Sequence, residues 1–85
     1  MPSARSRRVA ERRRRRNAPL RSRAKSFVTR VRRLIESDDI DGAEQATRDA
    51  IVALDKAAQK GAIHRRNAAR RKSRLMKQLH SAKSA

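Results

Sequence analysis

KGAIHRRNAARRKSRLMKQL, residues 60–79, carries eight Lys or Arg residues and no acid, yet Ile63, Ala68, Leu75, Met76 and Leu79 sit among them. The apolar positions form the seam of an amphipathic helix. On the rest of its surface, like charges three and four positions apart repel one another. The seam asks for helical neighbours inside the chain, and the charge asks for a counter-charge outside it.

Upstream of this stretch, Gly61 stands where a helix C-terminus needs a left-handed residue. The helix it ends is announced by SDDIDG, residues 37–42, in which Asp39 or Asp41 can cap the N-terminus and suits the positive end of the helix dipole. Its seam is Ala43, Ala46, Ala50, Leu54, Ala57 and Ala58, flanked by Ile51. Small side chains on that seam let another helix approach closely. Further upstream, Leu20, Ala24, Phe27, Val28, Val31, Leu34 and Ile35 recur at steps of three and four, a helical stripe and not the alternation of a strand. The sequence favours one long helix from about residue 6 to 37, weakened near Pro19, which lacks a backbone donor. A start at Asn17 as N-cap, or upstream near Ser3, is the alternative. The last helix is expected from Ile63 or His64 to about Ser81.

Three amphipathic helices with short connections predict an all-α fold, a three-helix antiparallel bundle with a long N-terminal helix. Residues 1–16 read as a basic arm without an apolar face, helical when bound to its partner, and residues 17–85 as the bundle.

The chain has 85 residues, room for one small domain, and a net charge of +17. Residues 1–35 hold 14 Lys or Arg and one acid, residues 36–59 hold two and seven, and residues 60–85 hold nine and none. An acidic helix therefore lies between two basic ones. So much positive charge strains the isolated fold, and a polyanion relieves it. The chain has no cysteine, which excludes disulfides and cysteine-based zinc sites. No apolar run reaches the roughly 20 residues of a membrane span. The first sixteen residues share the arginine richness of a transit peptide but lack its Leu or Phe face.

Nothing in the sequence supports catalysis, a cofactor or a metal. His64 and His80 are far apart and have no Asp, Glu or Cys at ligand spacing, and Ser73 has no base to activate it. Nucleic acid is the expected partner, because arginine forks match phosphate oxygens. On the last helix Arg66, Arg70 and Lys77 fall near one side, and Arg71 and Arg74 extend the band. On the first, the candidates are Arg7, Arg8, Arg12, Arg13, Arg14, Arg15 and Arg16 in the arm, then Arg23 and Arg30. Phe27 is the sole aromatic residue, which argues against a single-strand stacking platform and leaves recognition of duplex shape and backbone. Folded RNA suits this better than a DNA operator. The rival readings are a DNA-compacting protein and a membrane-active cationic peptide, the latter disfavoured by the lack of exposed hydrophobic bulk.

RNAPLRSRAKSFVTRVRRLI (residues 16–35) followed by LDKAAQKGAIHRRNAARRKSRL (residues 54–75) resembles the bacterial small-subunit ribosomal protein S-twenty family. The resemblance spans about Arg12 to Leu79 and is densest over Leu54–Leu75. It implies a three-helix bundle that is a structural, non-enzymatic part of the small ribosomal subunit, cytoplasmic and held in the ribosome. The implied partner is 16S ribosomal RNA, through stems of the 5′ domain and the long stem near the 3′ end, with other subunit components possible. The implied RNA-binding positions are Asn17, Arg21 and Ser26 on the first helix. On the third they are His64, Arg65, Asn67, Arg70, Arg71, Lys72, Ser73 and Arg74. Gly61 matches a structural turn glycine. Pro19, and Arg65 where a lysine is expected, depart from the family pattern. His64 has two open roles, a cap on the third helix or an RNA contact.

Overall fold

A computed structural model of the chain describes residues 4–84. The start near Ser3 considered above, and the first three residues of the arm, lie outside the described residues. Three helices follow in order: α1, Ala4–Glu36; α2, Ile40–Gln59; and α3, Arg65–Ser84. No strand occurs among the described residues.

α1 runs unbroken through Pro19. Asn17 therefore lies inside the helix and does not cap it, and the first turn starts two residues earlier than expected. A proline mid-helix removes one i→i−4 hydrogen bond, and in α1 the carbonyl that loses its donor belongs to Arg15. Its flanks continue as helix because Ala24, Phe27, Val28 and Val31 join the hydrophobic core from the next turns onward.

The two connections are the same device built twice. At the end of α1, the Asp39 N–H donates to Leu34 C=O (2.9 Å) and the Asp38 N–H to Ile35 C=O (3.0 Å). At the end of α2, the Ala62 N–H donates to Ala57 C=O (2.8 Å) and the Gly61 N–H to Ala58 C=O (3.1 Å). Each is a Schellman closure, which requires a left-handed residue just past the helix. Gly61 supplies it at φ 76° and Asp38 at φ 62°. Asp39 then acts for both neighbours: its N–H closes α1, and its carboxylate caps α2 by accepting from the Gly42 N–H at 3.0 Å.

These tight reversals make α2 antiparallel to both other helices. α2 packs along α1 and along α3, whereas α1 and α3 barely touch each other. The α3 seam accordingly docks mainly on α2, with a smaller contact to α1. The reason is the width of the α2 stripe, where Ala43, Ala46, Ala50, Ala53, Leu54 and Ala57 are all buried. Thr47 shares that stripe, its hydroxyl donating to the Ala43 carbonyl at 2.7 Å. Ala53 and Thr47 extend the seam beyond the positions the spacing picked out. From α3, Ala68 and Leu75 are buried and Leu79 half-buried, but Met76 is 51% exposed and is not part of the seam. Met76 follows Leu75 by one residue, about 100° around the helix, which turns it off the contact.

A 33-residue helix is about 50 Å long and a 20-residue helix about 30 Å, so α1 overhangs its partners. Residues 4–16 are all exposed, and the molecule measures 56 × 20 × 17 Å.

Candidate nucleic-acid interface

The overhang carries Arg7, Arg8, Arg12, Arg13, Arg14, Arg15 and Arg16 into solvent. Its single acid, Glu11, lies 3.9 Å from Arg15, one turn on, in an exposed pair. Exposed pairs of this kind contribute little to stability, so the arm keeps its positive field. Asn17 is half-buried where the overhang meets the bundle, with its Oδ1 enclosed and without a hydrogen-bond partner. Arg21, Arg23, Ser26 and Arg30 are exposed beside the packed stripe, and the Arg23 guanidinium sits 5.8 Å from the centre of the Phe27 ring.

At the start of α3, His64 is the N-cap. Its Nδ1 accepts from the Arg66 backbone N–H at 3.1 Å, and its carbonyl accepts from the Ala68 N–H at 3.1 Å. Acceptance requires an unprotonated Nδ1, which leaves the proton on Nε2 of an exposed ring. The capping role is thereby occupied, and the outer nitrogen stays available as a donor.

Arg65, Arg66, Arg70, Arg71, Ser73, Arg74 and Lys77 are exposed on α3. Asn67 is half-buried, and its Oδ1 accepts from Arg71 Nε at 2.9 Å, holding that guanidinium in place. Lys72 is directed differently from its neighbours. Its Nζ bonds Asp55 Oδ1 on α2 at 2.6 Å, and Lys83 pairs likewise with Glu44. Two α2 carboxylates therefore pin α3 to α2, and Lys72 serves that clasp.

The fold brings Arg70, Arg71 and Arg74 to one cleft with Arg32 of α1, over a floor of Val28 and Leu75. It does not bring the arm's arginines to that cleft, since they lie on the overhang. Arg32 is not among the residues nominated by charge or resemblance. The signal was present in the stripe: Arg32 is four residues after Val28 and one after Val31, at the edge of the buried face.

No group of three or more metal-ligating side chains occurs among the described residues. None of the helices there is long and apolar enough to cross a membrane. Fold and surface together define an arginine-rich helical bundle whose cations are displayed on its outer two helices.

The family model described as ribosomal protein S20 matches residues 2–80. The chain is 52% identical over 79 residues to the small ribosomal subunit protein bS20 of Thermomicrobium roseum, covering 93% of this chain and 80% of that one. It is 49% identical to the bS20 protein of Dehalococcoides mccartyi, covering 88% and 85%, and 44% identical to that of Bacillus cereus, covering 86% of each. The chain belongs to the ribosomal protein S20 family, non-enzymatic structural proteins of the small ribosomal subunit.

Proposed function

We propose that this protein binds 16S ribosomal RNA directly and stabilises its fold during assembly of the small subunit, working in the ribosome in the cytoplasm. The observation that carries this reading is the distribution of charge over the helices. Exposed arginines cover α1 and α3, while the acids are concentrated on and beside α2, where two of them clasp α3. α2 acts as a spacer that sets two basic helices at a fixed separation. Each then meets a different RNA segment: stems of the 5′ domain, and the long stem near the 3′ end. Binding favours the folded RNA because only that arrangement presents phosphates to both helices at once.

The arm, residues 1–16, acts as a separate unit from the bundle of residues 17–85 and follows the RNA backbone. The exposed candidates on α1 and α3 make the phosphate contacts. Asn67 and His64 Nε2–H add position, and Lys72 contributes through the α2 clasp as well as its charge.

Footprinting on full-length 16S ribosomal RNA, with duplex DNA in excess, tests the reading. Protection confined to a few stems of the 5′ domain and the 3′ stem, persisting against the competitor, is the expected result. Diffuse protection abolished by the DNA would replace specific RNA binding with general polyanion compaction.

A further inference from the structure

We propose that the cleft between α1 and α3 is a phosphate site, where Arg32, Arg70, Arg71 and Arg74 grip backbone phosphates of an RNA strand and so draw α1 and α3 together. The inference deepens the RNA-binding reading above and in its choice of ligand rests on it.

The cleft has a volume of about 200 Å³ and is lined by the four arginines Arg32, Arg70, Arg71 and Arg74 together with Val28, Leu75 and Gln78. No carboxylate is among the lining residues. The chain's other close cation–carboxylate contacts, among the described residues, are Glu11–Arg15, Asp55–Lys72 and Glu44–Lys83. None of them engages these four arginines. Glu36 is one turn beyond Arg32 and makes no ion pair with it. Four like charges are thus gathered at the interface where the bundle is least packed, since α1 and α3 scarcely touch. The repulsion there is answered by an anion from outside.

The donor geometry favours phosphate. A guanidinium offers a planar fork that takes two oxygens of one group, which an ammonium cannot. Arg71 is already oriented by its Nε–H bond to Asn67, leaving its two outer nitrogens for the ligand. Less ordering is then needed on binding. The floor strengthens each contact: Leu75 is 2% exposed, and apolar side chains under the charges lower the local dielectric. Three of the arginines belong to α3 and one to α1, so an anion bridging Arg32 to the others ties together two helices that share few direct contacts.

The experiment compares the full chain with R32Q and with R48Q, which removes the same charge from exposed Arg48 on α2. First, thermal unfolding of each free protein is followed in inorganic pyrophosphate and in chloride at equal ionic strength. The parent and R48Q gain at least about 4 °C in pyrophosphate, saturating with concentration, and R32Q does not. An equal gain in all three, or none in the parent, would overturn the site. Second, affinity for the 16S 5′ domain is measured across a salt series. R32Q lowers the slope of log affinity against log salt by about 1, and R48Q leaves it unchanged. Specific RNA binding with the R32Q slope intact would refute the cleft and leave the RNA reading standing. A pyrophosphate shift lost in R32Q, without specific binding of 16S RNA by the parent, would do the reverse.

Discussion

Replacing Gly61 by alanine changes one backbone conformation and almost nothing else, because a Cβ at this position meets no atom within 4 Å and the residue is exposed. The cost therefore comes from φ 76°, where an L-residue sits unfavourably by roughly 1–2 kcal/mol. Against this, alanine narrows the unfolded ensemble and returns about 0.4–1 kcal/mol. The net loss is about 1 kcal/mol, which for a domain of this size lowers Tm by about 4–8 °C. Gly61→Asn should lose roughly half as much, because asparagine enters the left-handed region more readily. Circular dichroism at 222 nm during heating, with denaturant titration for ΔG, reads both variants. Asp38 occupies the equivalent position after α1 without being glycine. Asp38→Gly supplies the opposite substitution in the same motif and is expected to raise Tm or leave it unchanged. The reasoning fails if Gly61→Ala is neutral, or if asparagine is worse than alanine. Either result would mean that the α2–α3 turn is not held by a left-handed residue at 61.

Four further outcomes follow from the packing and the caps. Leu54 has no exposed surface and lies in the α2 stripe between both neighbours, so Leu54→Ala should cost about 2.7–5 kcal/mol. In so small a domain that approaches the whole stability, and loss of cooperative unfolding at 37 °C would register it. His64→Ala removes the α3 cap and should cost about 1 kcal/mol, restored by His64→Ser, whose hydroxyl can accept the same N–H; chemical denaturation measures both. A double-mutant cycle on Lys72 and Asp55 should give a coupling of about 0.2–1 kcal/mol that shrinks with added salt, since both side chains are partly exposed. In the RNA-free protein, amide hydrogen exchange should be faster over residues 4–16 than over residues 20–36, because only the latter half of α1 is packed; equal protection along α1 would show that the overhang is held by something other than packing.

Each seam was legible along the chain because a helix repeats every 3.6 residues, so Ala24, Val31, Ala46, Ala50, Leu54, Ala68 and Leu75 mark their buried faces by spacing alone. The α2 cap, at Asp39 or Asp41, and the Gly61 turn were equally local, each depending on residues within a few positions, and the structure assigns the cap to Asp39. The arm's exposure was also readable, since a run of arginines has no face to bury. Left-handed Asp38 was not legible, because its neighbours impose that conformation on a residue that only tolerates it. His64 could have been a cap or a contact, and the Arg66 N–H decided the capping role for Nδ1.

What required the tertiary structure was every pairing across helices. Periodicity says which face of a helix is apolar but not how two faces divide a third between them. The wide alanine stripe of α2 takes both neighbours, leaving α1 and α3 scarcely in contact and Met76 in solvent. The same arrangement turns Lys72 toward Asp55 and places Arg32 among arginines some forty residues away in sequence. Side-chain charge and seam are properties of one helix at a time, whereas a cleft belongs to two, and its composition depends on the angle and register at which they meet.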